Sequence, residues 1–231
     1  MAHFEQDDLT WSEGDMPYSR RFGDYFYSQS DGQAECRHVF LGGNGLPDRW
    51  NMSGDFTIGE LGFGTGLNFL ETWRNWRESR SAGSLSFVSF EAFPMAAEHI
   101  ERALASWPEL YGLAEKLLAH WPSLSGIPTD WAMDERTTLT VTVGDALDGV
   151  RNWRGPADAW YLDGFAPARN PEMWSSDLMQ AVADRTKRGG TFASYTSAGW
   201  VRRNLQAAGF SVEKRPGHAG KREMTSGVKP T

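Results

Sequence analysis

A chain of 231 residues, 40% hydrophobic and 23% charged, has the size and balance of one globular domain with a real core, which excludes a disordered or fibrous design. Its net charge of −7 argues against a surface devoted as a whole to a polyanion, because nonspecific nucleic-acid affinity comes from neutralised phosphates. Cys36 is the single cysteine, so an intrachain disulfide and the two-thiol metal patterns are excluded, no metal site is expected, and a reducing cytoplasm is the expected location. The N-terminus is acidic rather than basic-then-apolar, and no run approaches the ~18 apolar residues of a membrane span, so neither export nor a membrane partner is expected.

In chain order, residues 1–50 read as a small β extension and residues 51–231 as the main domain. Within the extension, Asp24–Ser28 and Arg37–Leu41 are aromatic and β-branched runs that predict an antiparallel pair, closed by a turn at Gly42–Gly45. The main domain then alternates. Strands are predicted at Phe56–Glu60, Leu85–Phe90, Leu139–Val143, Ala157–Leu162 and Thr191–Tyr195. Helices are predicted at Leu67–Trp76, Met95–Ser106, Glu109–Trp121, Ser175–Arg185 and Ala198–Ala208. This alternation predicts a doubly wound α/β fold around a mostly parallel sheet. Phe210–Arg215 and Glu223–Val228 follow with only a loop between them and should form an antiparallel hairpin, completing a sheet of seven strands. Eleven tryptophans offer stacking surfaces for flat ligands, although for any single one a core position is the better expectation.

The segment Glu60-Leu-Gly-Phe-Gly-Thr-Gly66 joins the first predicted parallel strand to the first long helix. Glycines at 62, 64 and 66 suit a backbone pressed against a nucleoside cofactor. A nicotinamide fingerprint places two residues before its last glycine, and its sheet continues with a parallel sixth strand. The even glycine spacing and the terminal hairpin resemble instead the Rossmann-like S-adenosylmethionine methyltransferases. Phe63, Thr65 and Asn68 belong to the same cradle.

Ligands of open α/β sheets bind at the carboxyl ends of the strands, and four of the predicted strands end on acids. Glu91 suits the ribose hydroxyls, Asp145 the adenine amino group and Glu60 the cationic amino-acid end of the cofactor. Any one of these carboxylates alone reads better as a solvated acid or a helix cap; four in register favour a site. Asp163 begins Asp-Gly-Phe-Ala-Pro, which resembles the substrate loop of amino-group methyltransferases. There Asp163 would orient an amine or take its proton, and Phe165 would stack on a base.

A narrower resemblance rests on VFLGGNGLP (39–47), ELGFGTGLNF (60–69), YLDGFAPARNPEMW (161–174), TSAGWVRR (196–203) and KREM (221–224). Together these resemble the methyltransferase half of the bacterial bifunctional MnmC family. The resemblance implies N-methylation of 5-aminomethyl-2-thiouridine at the tRNA wobble position, giving 5-methylaminomethyl-2-thiouridine, with S-adenosylmethionine as cofactor. It implies tRNA, through its anticodon loop, as the partner. It also implies a flavin-dependent oxidoreductase, as a further domain or a separate protein, that supplies the amine.

Although the chain is acidic, Arg185, Lys187, Arg188, Arg202, Arg203, Lys214, Arg215, Lys221, Arg222 and Lys229 concentrate at its C-terminal end. From charge alone a solvated face and a phosphate-binding face are equally good readings. The resemblance makes Arg202, Arg203, Lys214, Arg215, Lys221 and Arg222 candidate tRNA contacts, and Arg169 a candidate contact to the anticodon loop. Two rivals stay open: an aminopropyltransferase-like enzyme of small amines, and a noncatalytic tRNA-binding module.

Overall fold

The computed structural model describes residues 8–52 and 54–231. A three-stranded antiparallel sheet comes first, built from β1 (Leu9–Ser12), β2 (Met16–Ser19) and β3 (Asp24–Tyr25). A short helix, α1 (Gly32–Glu35), runs into a π-helical segment at Cys36–Gly42, and α2 (Asp48–Met52) follows. The alternating body comprises β4 (Phe56–Leu61), α3 (Leu67–Glu78), β5 (Leu85–Glu91), α4 (Ala97–Leu104), α5 (Tyr111–His120), β6 (Asp130–Asp134), β7 (Thr137–Val143) and α6 (Ala146–Asn152). It closes with β8 (Ala157–Leu162), α7 (Ser176–Asp184), β9 (Thr186–Ser194), α8 (Gly199–Ala207), β10 (Ser211–Pro216) and β11 (Glu223–Val228).

The main sheet has eight strands in the order β10-β11-β9-β8-β4-β5-β7-β6. Pairing is parallel from β9 to β7 and antiparallel at both ends, where β6 pairs with β7 and β11 with β9 and β10. Each central strand is buried on both sides, so successive residues feed opposite cores. Ile58 and Tyr161 join the face covered by α3, α4 and α5, with Trp73, Ile100 and Leu117. Leu61 and Trp160 join the face covered by α6, α7 and α8, with Val150, Val182 and Leu205.

Three features depart from expectation. The sheet has an eighth strand, because Asp130–Asp134 turns Trp131 and Met133 inward while Asp130 and Ala132 face solvent. Its flanking acids disguise it as a loop, yet an edge strand tolerates charge. Arg37–Leu41 is helical rather than a strand, so the expected pair with Asp24–Ser28 is absent, and β3 pairs with β2 instead. The reason is burial. Cys36, Val39, Phe40 and Leu41 are all packed away, with the Phe40 ring stacked on Tyr161 at 5.2 Å, so tertiary packing overrides the β-propensity of the run. The extension of residues 1–50 is accordingly β only as far as Tyr25 among its described residues.

Candidate active site

Strand β4 lies between β5 and β8, so the chain departs from it in both directions and leaves a crevice at its carboxyl end. Leu61 and Leu162 are paired in register, so the segments after β4 and β8 emerge side by side. Gly62 has φ +81°, and a Cβ there would sit 3.4 Å from Gly164 Cα. Only backbone meets backbone at this point. Gly66 answers a different demand: it opens α3 with φ +76°, and a Cβ would come within 2.9 Å of the Phe63 ring. Its constraint is internal to the loop, and it does not line the cavity.

A cavity of about 1190 Å³ opens over these two loops. It exceeds the roughly 300–1,000 Å³ of a pocket for one small ligand, leaving room for a nucleoside cofactor and part of a second molecule. Gly62, Phe63, Gly64, Thr65, Asn68, Glu91 and Asp145 all line it on the side of the glycine loop. Asp163, Phe165 and Lys221 line it as well. No tryptophan does; Trp50, Trp73, Trp76, Trp160 and Trp174 are fully buried in the cores.

The carboxylates divide by what holds them. Glu91 ends β5 and accepts the Gly64 N–H at 3.0 Å and the Phe93 N–H at 2.8 Å. It thereby ties the glycine loop to the neighbouring strand. Burial raises its carboxyl pKa, against those backbone hydrogen bonds, and a carboxylate with about four acceptor positions keeps capacity for ligand hydroxyls. Asp145 caps α6, accepting the Asp148 N–H at 3.0 Å, while remaining exposed in the cavity wall.

Glu60 departs from expectation by lying beneath the cavity rather than in its wall. It is 0% exposed and accepts hydrogen bonds from Ser89 Oγ at 2.7 Å and Asn68 Nδ2 at 3.1 Å. Burial holds its pKa well above the usual carboxylate range. Asn68 Nδ2 also donates to Asp163 Oδ2 at 2.7 Å. One amide group in the first turn of α3 therefore links the buried acid of β4 to the half-buried acid after β8.

Asp163 Oδ1 accepts the Gly164 N–H at 2.8 Å. Burial pushes its pKa to about 7, opposed by the hydrogen bonds from Gly164 and Asn68. Phe165 sits among aromatic rings of the N-terminal extension: Phe22 stacks on it at 4.5 Å and Phe26 meets it edge-on at 5.1 Å. One face of Phe165 is therefore already covered.

The basic residues scatter. Lys221 Nζ reaches the cavity wall, pairing with Glu35 at 2.7 Å and lying 4.4 Å from the centre of the Tyr195 ring. Lys214 pairs with Glu223 and Arg215 with Glu213, both on the edge hairpin. Arg185 donates to the backbone of Val150 and Arg151, Lys187 pairs with Asp158, and Lys229 donates to the carbonyls of Ala183 and Thr186. Arg169, Arg203 and Arg222 are exposed outside the cavity, and half-buried Arg202 also lies outside it.

Sequence reasoning missed Asp24, Glu35 and Tyr195. Tyr195, directly after β9, ends the predicted strand Thr191–Tyr195 and carries the signal of a polar residue at a strand's carboxyl end, without the charge of the four acids. Asp24 and Glu35 carry no local signal, since the fold of the extension brings them to the cavity.

A doubly wound sheet with a terminal antiparallel hairpin and a glycine loop at its switch point is the architecture of a Rossmann-like methyltransferase. Residues 108–230 match the family model of S-adenosyl-L-methionine-dependent methyltransferases, and the chain belongs to that family. It is 48% identical over 231 residues to the tRNA 5-methylaminomethyl-2-thiouridine biosynthesis bifunctional protein MnmC of Methylobacillus flagellatus, covering 97% of this chain and 35% of that protein. It is 45% identical to MnmC of Pseudomonas aeruginosa PAO1, covering 99% and 36%. The chain thus spans about a third of the length of the curated relatives it matches. The crystal structure of MnmC2 from Aquifex aeolicus shares the fold, with a TM-score of 0.77 at 24% identity over 97% of this chain and 71% of that one. Among the described residues no helix is long and apolar enough to cross a membrane, and no cluster of His, Cys, Asp or Glu suits a metal ion.

Proposed function

We propose that the chain transfers a methyl group from S-adenosylmethionine to the primary amine of 5-aminomethyl-2-thiouridine at the tRNA wobble position, giving 5-methylaminomethyl-2-thiouridine. The name shared by the MnmC relatives supports the substrate. The observation that carries the reading is Asp163, a carboxylate of pKa about 7 set beside the glycine loop in a cavity with room for two ligands. S-adenosylmethionine supplies a methyl group activated by a sulfonium.

In this reading Gly62, Phe63, Gly64 and Thr65 form the backbone cradle, which fits a nucleoside cofactor because Gly62 and Gly64, at φ +81° and +54°, hold a backbone conformation that side-chain-bearing residues rarely adopt and line the cavity with bare backbone. Glu91 holds the ribose hydroxyls and Asp145 faces the adenine. Glu60 acts one step removed, by orienting the Asn68 amide. That amide fixes Asp163 Oδ2, and Asp163 holds the amine in line with the methyl group. An alkyl amine is largely protonated near neutrality, whereas methyl transfer requires its lone pair. A carboxylate with a pKa of about 7 takes that proton far more readily than one in the ordinary range. Phe165 forms part of the wall for the uracil ring, on whatever face Phe22 leaves open.

Arg169, Arg202, Arg203 and Arg222 are the arginines this reading assigns to phosphate contact. Lys214, Arg215 and Lys221 are already paired with carboxylates and contribute less. We assign residues 51–231 to the catalytic domain, completed by the extension before it. The relatives' description as bifunctional supports a flavin-dependent oxidoreductase partner that supplies the amine, and a tRNA substrate supports a cytoplasmic reaction.

Transfer of label from methyl-labelled cofactor tests the reading. Label is expected in tRNA carrying the free amine and not in putrescine. Methyl label in putrescine alone would establish methylation of small amines instead; an aminopropyltransferase would leave the label on the thioadenosine product and lengthen putrescine without labelling it, and no detectable cofactor binding by calorimetry would leave only a binding module.

A further inference from the structure

We infer that Asp24, in the N-terminal extension, is a positioning residue for the acceptor side of the active site. The inference rests on the assignment of the Asp163 loop to the acceptor amine. Three successive residues of that loop are held through their backbones by side chains from three separate parts of the fold. Tyr195 Oη, at the end of β9, donates to the Gly164 carbonyl at 2.8 Å. Trp174 Nε1 donates to the Phe165 carbonyl at 3.1 Å. Asp24 Oδ2 accepts the Ala166 N–H at 2.9 Å, across 142 positions of sequence.

Tyr195 and Trp174 belong to the methyltransferase body, and Asp24 comes from outside it. Its other oxygen, Oδ1, accepts the N–H of its own neighbour Tyr25 at 2.9 Å, which fixes the carboxylate against β3. The extension in turn is anchored on α4. Tyr27 Oη donates to the Ala103 carbonyl at 3.1 Å, and Arg102 of α4 pairs with Asp15 while lying 4.2 Å from the Trp11 ring. Phe22 adds the stack on Phe165. The extension is therefore a brace between α4 and the Asp163 loop. Its hydrogen bond from Asp24 to that loop falls three residues from the carboxylate that meets the amine. Releasing Ala166 lets the loop shift while the glycine cradle, tied separately to β5 through Glu91, stays in place. Misplacement by about 1 Å is enough to cost on the order of 10²-fold in rate.

The test compares Asp24→Ala with Asp24→Asn in the full chain. Asp24→Ala is expected to lower kcat for methyl transfer to amine-bearing tRNA by about 10-fold to 100-fold, with the cofactor Kd unchanged within about twofold, and to raise amide exchange at Ala166. Asp24→Asn keeps an acceptor oxygen without the charge, and is expected to recover both rate and protection. Unchanged Ala166 exchange or unchanged kcat in Asp24→Ala would overturn the inference. So would an Asn variant as impaired as Ala, which would mean that the charge and not the hydrogen bond matters. If the wild-type protein fails to methylate tRNA, the proposed acceptor falls, and with it the role of Asp24 in placing that acceptor.

Discussion

The two walls of the cavity are built on different plans. The proposed cofactor wall centres on one contiguous stretch, Gly62–Asn68, fastened to adjacent strands by Glu91 and Glu60, with Asp145 added from the end of β7. The acceptor wall is assembled from Asp163 and Phe165 after β8, Tyr195 after β9, Lys221 from the terminal hairpin and Phe22 and Asp24 from the extension. A local wall serves a cofactor common to many enzymes, while a composite wall lets distant segments specify the acceptor. The two should therefore fail separately, one in cofactor affinity and the other in rate.

Asp163→Ala gives the largest expected effect on rate: loss of about 10²-fold to 10⁴-fold in kcat with cofactor binding nearly intact, measured by single-turnover methylation and calorimetry. A matching loss of cofactor affinity would merge the two walls into one. Glu91→Gln should do the reverse, weakening cofactor binding about tenfold while leaving the rate at saturation close to wild type.

The pH profile sharpens the acceptor side. If, as proposed, the ionised form of Asp163 takes the proton, kcat/KM should rise with pH through a limb near 7, and Asp163→Asn should lose that limb. The same residue carries an opposite stability signature. Its native pKa lies above the ordinary value of 3.8, so the native state holds a proton that the unfolded chain releases. Stability is then lost as pH rises from about 4 to about 7. Asp163→Asn removes this loss, and its Tm advantage should be greatest at and above pH 7 and fade towards pH 4, as thermal scans across that range would show.

The smallest expected effects concern the basic residues. Arg222→Ala should weaken tRNA binding and reduce its salt slope by about one, in titrations at several ionic strengths. Lys214→Ala should change less, because its ammonium is already paired with Glu223.

The same contrast governs what the sequence reveals. The cofactor wall was legible because its constraints are local: alternating glycines, a strand before them and a helix after them. Ala157–Leu162 and Glu223–Val228 were legible with their boundaries because each is a short apolar or alternating run between clear breaks. Arg37–Leu41 was not, since its β-branched and aromatic residues are buried as a helix by partners far along the chain. Asp24 and Glu35 were invisible for a similar reason. Their significance lies in Ala166 and Lys221, 142 and 186 positions away. The C-terminal basic cluster misled differently: charge density in sequence did not show that Lys214, Arg215 and Lys221 had acidic partners.

Mass spectrometry of nucleosides tests the central claim most directly. tRNA bearing the free wobble amine is incubated with the protein and S-adenosylmethionine, digested and analysed. The account predicts that 5-aminomethyl-2-thiouridine disappears as a nucleoside heavier by one methylene takes its place at the wobble position. An unchanged wobble nucleoside, or methylation at another position, would contradict it.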